Sequence, residues 1–100
     1  MLMVYGTARV AEKDVDRLRE AAEAMVMASR DEDGCQEYAY GFDMFDPTLM
    51  RVVERWDDAE ALKAHFATPH MATWRAALGG MDIRDVELYT LEGDPQVLPR

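Results

Sequence analysis

Cysteine is nearly missing from this sequence: Cys35 stands alone, so neither an internal disulfide nor a cysteine-rich zinc site can form. Long apolar runs are missing as well. No stretch approaches the roughly 18 residues of a membrane span. The amino end, Met1 to Gly6, has no basic segment before its apolar residues and no cleavage-like pattern after them. Positive charge is scarce, with 11 Lys and Arg against 20 Asp and Glu and a net charge of −9. Such a surface repels nucleic-acid phosphates and anionic lipid. Six glycines and four prolines are too few for a collagen-like or low-complexity chain. There is no glycine-rich phosphate loop and no dinucleotide fingerprint, so nothing supports a bound flavin or nicotinamide. What is present is an ordinary globular balance over 100 residues, 49% hydrophobic and 31% charged. The expectation is one soluble cytoplasmic domain with no cofactor.

Two periodicities organise the chain. Residues 2–10 read as a strand, in which Leu2, Val4, Ala8 and Val10 alternate with Met3, Tyr5, Thr7 and Arg9. From Asp14, an expected cap, Val15, Leu18, Ala22, Met25 and Val26 form one helical stripe. Asp31-Glu32-Asp33-Gly34 ends this helix in a solvated turn. Strands follow over 35–42 and 49–56, joined by a polar loop with Pro47. Asp57, with Glu60 three residues on, predicts the start of a short helix whose apolar face is Ala61, Leu62, His65 and Phe66. Thr68-Pro69 is the strongest local signal, a hydroxyl cap before proline at the first helical position. Met71, Trp74 and Leu78 give that helix its inner face, and Gly79-Gly80 ends it. A last strand spans about 83–91, so the domain is expected over 1–92 with a tail at 93–100.

Strand, helix, strand, strand, helix pair, strand is the split βαβ pattern of an α+β, ferredoxin-like fold with an antiparallel sheet. Helices cover one side of such a sheet, yet the strands carry apolar residues on both, as Met50, Val52 and Trp56 against Leu49 and Val53 show. A second copy packing sheet on sheet buries the other side, which predicts a homodimer.

The candidate chemistry clusters around the helix pair. His65 and His70 are the only histidines. His65 shares a face with Leu62 and Phe66 and is expected to point at the sheet, as a base or as a satisfied core residue. His70 is a second candidate base or a solvated side chain. Glu54 shares the apolar face of its strand with Met50, Val52 and Trp56, and unpaired burial of a carboxylate is costly. Its expected partner is His65 or His70, whose tautomer it would hold; Arg51, Arg55 and a dimer interface are the alternatives. Trp56 and Trp74 are core aromatics or cavity walls, and Tyr38 and Tyr40 share a face that reaches a pocket or closes the core. His65, His70 and Glu54 have metal-binding atoms, but the histidines are five apart across Pro69, so no metal is expected.

Asp33-Gly34-Cys35-Gln36-Glu37-Tyr38, then Val53-Glu54-Arg55-Trp56-Asp57-Asp58-Ala59-Glu60-Ala61-Leu62, then His65-Phe66-Ala67-Thr68-Pro69-His70, resemble the antibiotic biosynthesis monooxygenase superfamily, in its quinol-monooxygenase-like branch. The resemblance implies a dimeric α+β barrel with a pocket between sheet and helices in each protomer. It also implies oxidation of a small quinol or phenol by O2 without metal or flavin. Other members degrade haem, isomerise small molecules or have no known activity, so a cofactor-free isomerase or lyase and a non-catalytic metabolite-binding dimer remain as alternatives. Haem-degrading members use an asparagine and a histidine where this chain has Thr7 and Trp74, which argues against haem. The polyketide-quinol branch has an asparagine where this chain has Val52. On this reading His65, oriented by Glu54, removes a phenolic proton and His70 is the second base. Tyr38 binds the substrate oxygen, and Trp56, Phe66, Met71 and Trp74 exclude water.

Overall fold

Alternating burial along β1 (Leu2–Arg9) puts Val4, Gly6 and Ala8 on one covered face. The computed structural model continues with α1 (Val15–Arg30), β2 (Cys35–Phe42), β3 (Leu49–Trp56), α2 (Ala59–Phe66), α3 (Pro69–Leu78) and β4 (Ile83–Thr90). It describes residues 1–79, 83–91 and 96–99, and the side chains of these except at 83–86. Gly80, the side chain of Val86 and half of the expected tail therefore lie outside the described residues. The four strands form one antiparallel sheet in the order β2-β3-β1-β4, the α+β ferredoxin-like arrangement expected from the element order.

The helix stripes do what their spacing predicts. Leu18, Met25 and Val26 of α1 and Met71, Trp74 and Leu78 of α3 are buried in one core with Val4, Ala8, Met50 and Trp56. α1 packs on α3 and β2, and α2 on β3 and α3. Burial of this apolar surface is the main source of stability.

Two helix starts differ from expectation. Asp58, not Asp57, caps α2: its side chain accepts from the Ala61 N–H at 2.9 Å. Asp57 instead takes the Gln36 side-chain amide at 2.8 Å. Asp14 precedes α1 without capping it, because a 3-10 turn over Glu12–Asp14 leads into the helix and occupies that end. Thr68 does cap α3, accepting from the Met71 N–H ahead of Pro69.

The turn after α1 decides where the site forms. Gly34 has φ +81°, and a Cβ there would meet the Cβ of Ala61 at 2.7 Å, so only glycine lets this turn dock on α2. Its carbonyl accepts from the Asp57 N–H at 2.8 Å. The turn is thus clamped against α2 and the end of β3.

On the outer sheet face, β-pairing puts Met3, Tyr5, Ala39, Leu49 and Val53 together, and all five are only half buried. Among the described residues no helix is long and apolar enough to cross a membrane.

Candidate active site

A cavity of about 250 Å³ opens between the sheet and α3. Its floor is Gly6 and Ala8 of β1 and Met50, Val52 and Glu54 of β3, with Tyr40 of β2 beside them. Gly6 lies opposite Val52 in the register, so the floor lacks a side chain near its centre. Phe66, Met71, Trp74, Arg75 and Leu78 form the helical wall. Of the expected lining residues, Phe66, Met71 and Trp74 are here; Phe66 is not on the buried face expected of it but half exposed at the rim. Trp56 and Tyr38 are not lining residues. Both are fully enclosed one layer further in, and Tyr40 takes the place expected of Tyr38. Arg75, which no sequence signal singled out, brings a cation to the wall and anchors to the Phe66 carbonyl at 3.1 Å.

Glu54 is the acidic side chain on this floor. It is buried, and its Oε1 accepts from Trp56 Nε1 at 2.9 Å. Burial pushes its carboxyl above the usual range, against the Trp56 hydrogen bond, with Glu32 adding a smaller upward push. Burial likewise moves the Tyr40 phenol up to about 12, so it remains a neutral hydrogen-bonding group.

His65 lies behind the floor, fully buried, its ring 4.7 Å from that of Trp56 and 5.1 Å from that of Tyr38. The expected pairing with Glu54 is not made: His65 Nε2 is 3.9 Å from Glu54 Oε1, beyond a hydrogen bond. The carboxylate that orients His65 is Glu32, whose Oε2 lies 2.6 Å from Nδ1. The same oxygen lies 2.9 Å from Nε2 of His70. Because Glu32 requires a hydrogen on Nδ1 of a neutral His65, Nε2 carries the lone pair and accepts from the Tyr38 hydroxyl at 3.2 Å. Desolvation lowers the His65 pKa, and the Glu32 hydrogen bond opposes this.

Glu32 was expected to be solvated in its acidic turn. One signal pointed elsewhere: Asp31, Glu32 and Asp33 follow the carboxyl end of α1, where the helix dipole favours cations, so an acid held there needs another reason. His65 and His70 share no helical face, as their spacing across Pro69 predicts, yet both rings reach one carboxylate oxygen from α2 and α3.

The sequence profile of the family described as antibiotic biosynthesis monooxygenase matches residues 1–77. The chain belongs to that family. It is 32% identical over 74 residues to Rv0793 of Mycobacterium tuberculosis, a protein provisionally described as a monooxygenase, covering 74% of this chain and 72% of that one. The solved structure of Rv0793 superposes with a TM-score of 0.77 at 25% identity, over 95% of this chain and 96% of that one. A Deinococcus radiodurans structure, also provisionally placed among antibiotic biosynthesis monooxygenases, reaches a TM-score of 0.84 at 25% identity over 99% and 100% of the two chains. PA3566 of Pseudomonas aeruginosa gives a TM-score of 0.77 at 26% identity over 94% of each. Family membership makes this chain a candidate monooxygenase, and the cavity is where the family's chemistry would be sought.

Proposed function

We propose that this family member oxygenates a small planar phenol or quinol with O2, bound in the cavity against Gly6 and Val52, without a flavin or metal in the electron transfer. The observation that carries the reading is a buried carboxylate, Glu54, on the floor of a mainly aromatic and apolar cavity whose wall also carries the Arg75 cation. Triplet oxygen reacts slowly with closed-shell organics, and an electron-rich phenolate relieves this. Glu54, a stronger base for being buried, takes the phenolic proton. The phenolate passes one electron to O2, and the resulting phenoxyl and superoxide join at a ring carbon. The peroxide takes back the proton, the O–O bond breaks, and the ring C–H proton leaves with the departing oxygen. A phenol and O2 thus give a quinone and water, with every electron supplied by the ring.

The supporting parts have separate roles. His65, held by Glu32, sits next to Glu54 and offers the nearest site to which its proton could move; His70 lies on the far side of Glu32, away from the cavity. Trp56 positions Glu54, and Phe66, Met71 and Trp74 exclude water, which strengthens charge interactions inside. Arg75 on the wall favours the phenolate.

Two further parts belong to the same proposal. The half-buried outer sheet face pairs with a second copy, and the lone thiol of Cys35 suits a reducing cytoplasm. The deciding experiment measures O2 uptake by the purified protein with a panel of hydroquinones. Uptake matched by a hydroxyquinone that carries one atom of labelled O2 supports the reading, and plain quinone with hydrogen peroxide overturns it. Conversion of substrate without uptake would make the same acid–base site an isomerase, and binding with neither would make it a metabolite-binding protein.

A further inference from the structure

Glu32, His65 and His70 meet on the side of His65 that faces away from the cavity. Glu32 Oε2, His65 Nδ1 and His70 Nε2 all lie within 4.8 Å of one another. They come from three elements, the turn after α1, α2 and α3, and both rings converge on one oxygen.

We propose that this triad binds one divalent first-row transition cation, with zinc as its representative. Two imidazoles and a carboxylate are the donor set such ions prefer over magnesium or calcium. With Glu32 ionised and the rings neutral, the ligands carry one negative charge, within a chain whose net charge is −9. Binding requires no loss of the ring hydrogens: each moves to the ring's other nitrogen. For His65 that nitrogen already faces a partner able to receive it, the Tyr38 hydroxyl at 3.2 Å. An acceptor behind a ligating histidine is the kind of outer contact that fixes its tautomer in metal sites. An ion can reach the triad from solvent, since the His70 side chain is 23% exposed and that of Glu32 15%. None of the three ligands lines the cavity, so the site is separate from it and does not depend on the oxygenase reading.

The test uses untagged protein stripped with a chelator. Zinc is titrated by calorimetry, and Co2+ by visible absorption as a probe of ligand number. The expected result is one ion per chain, d–d bands of a four- or five-coordinate nitrogen–oxygen site, and a higher Tm with zinc. His70→Ala and Glu32→Gln each weaken binding by more than the ~10–100-fold that loss of an outer contact costs, and Cys35→Ser binds as the wild type does. His70→Ala leaves the buried core intact, so its circular dichroism spectrum stays native. Absence of binding, or equal binding by wild type and His70→Ala, overturns the proposal.

Discussion

Nδ1 of His65 lies 2.6 Å from the carboxylate of Glu32, a residue 33 positions earlier in the chain. This contact joins the turn after α1 to α2 and sets which nitrogen of the buried ring carries hydrogen. Hydrogen bonds to charged groups contribute ~1.5–3 kcal/mol. Glu32→Ala is therefore expected to lose about that much in chemical denaturation, and Glu32→Gln, which keeps an acceptor oxygen, less. Nitrogen chemical shifts report the tautomer directly: wild type should show Nδ1–H, and Glu32→Ala a mixture. An unchanged tautomer and unchanged stability in Glu32→Ala would mean the contact orients nothing.

Glu54→Gln separates chemistry from stability. Glutamine keeps an oxygen for Trp56 Nε1 while removing a carboxyl whose pKa burial has raised. A group with a raised folded-state pKa opposes folding once pH rises above its unfolded value, so at pH 7 the variant should be as stable as wild type or more so. Turnover of a responsive quinol should fall by ~10²–10⁴, the usual contribution of a positioned base. Full activity in Glu54→Gln would remove Glu54 from the reaction.

The fold was legible because its signals are local. The stripe from Val15 to Val26, the Thr68-Pro69 cap and the alternation in β1 each specify an element without help from elsewhere. Membership of Met71 and Trp74 in the cavity wall was legible for the same reason, whereas Phe66 reaches it from the exposed rim. The pairing of acids with histidines was not. Glu54 shares a strand face with Trp56, and a neighbour two residues away satisfied it before any histidine could. Glu32 reaches His65 only because Gly34 lets its turn close onto α2, a tertiary fact with no period in the sequence.

His65 also gives the protein a pH dependence. Its pKa is lowered in the folded state from the ordinary 6.5, chiefly by desolvation, so below that value the unfolded chain takes up more protons than the folded one. Stability is therefore expected to fall as pH drops through 6.5 and to level off once the folded-state pKa is passed. Melting curves from pH 8 to pH 5 check this, with His65→Gln as the variant in which that part of the slope disappears. Equal slopes in the two proteins would assign the dependence to other groups.

Val53 lies between Tyr5 and Ala39 on the uncovered sheet face. If two copies pair there, Val53→Asp places two unpaired charges in an apolar contact, and the dimer should dissociate on sedimentation or size exclusion. In an isolated protomer the same change costs only strand propensity and partial burial, about 1 kcal/mol, and leaves the protein folded. A monomeric wild type, or a Val53→Asp protein that stays dimeric, would place the contact elsewhere or remove it.

Val52 faces Gly6 across the β1–β3 pairing, and both line the cavity floor. Val52→Phe puts a ring where the substrate ring is proposed to lie. The cavity already holds that volume, so the new side chain need not displace the packed core, and overpacking should cost less than the ~1–3 kcal/mol of a filled interior. Quinol affinity should fall steeply while Glu54, His65 and Glu32 keep their contacts, so the nitrogen shifts of His65 stay as in wild type. Zinc affinity should stay unchanged too, because the triad is on the other side of the ring. Unaltered quinol binding by a folded Val52→Phe protein would show that the ligand sits outside this cavity, and the role given to Glu54 would go with it.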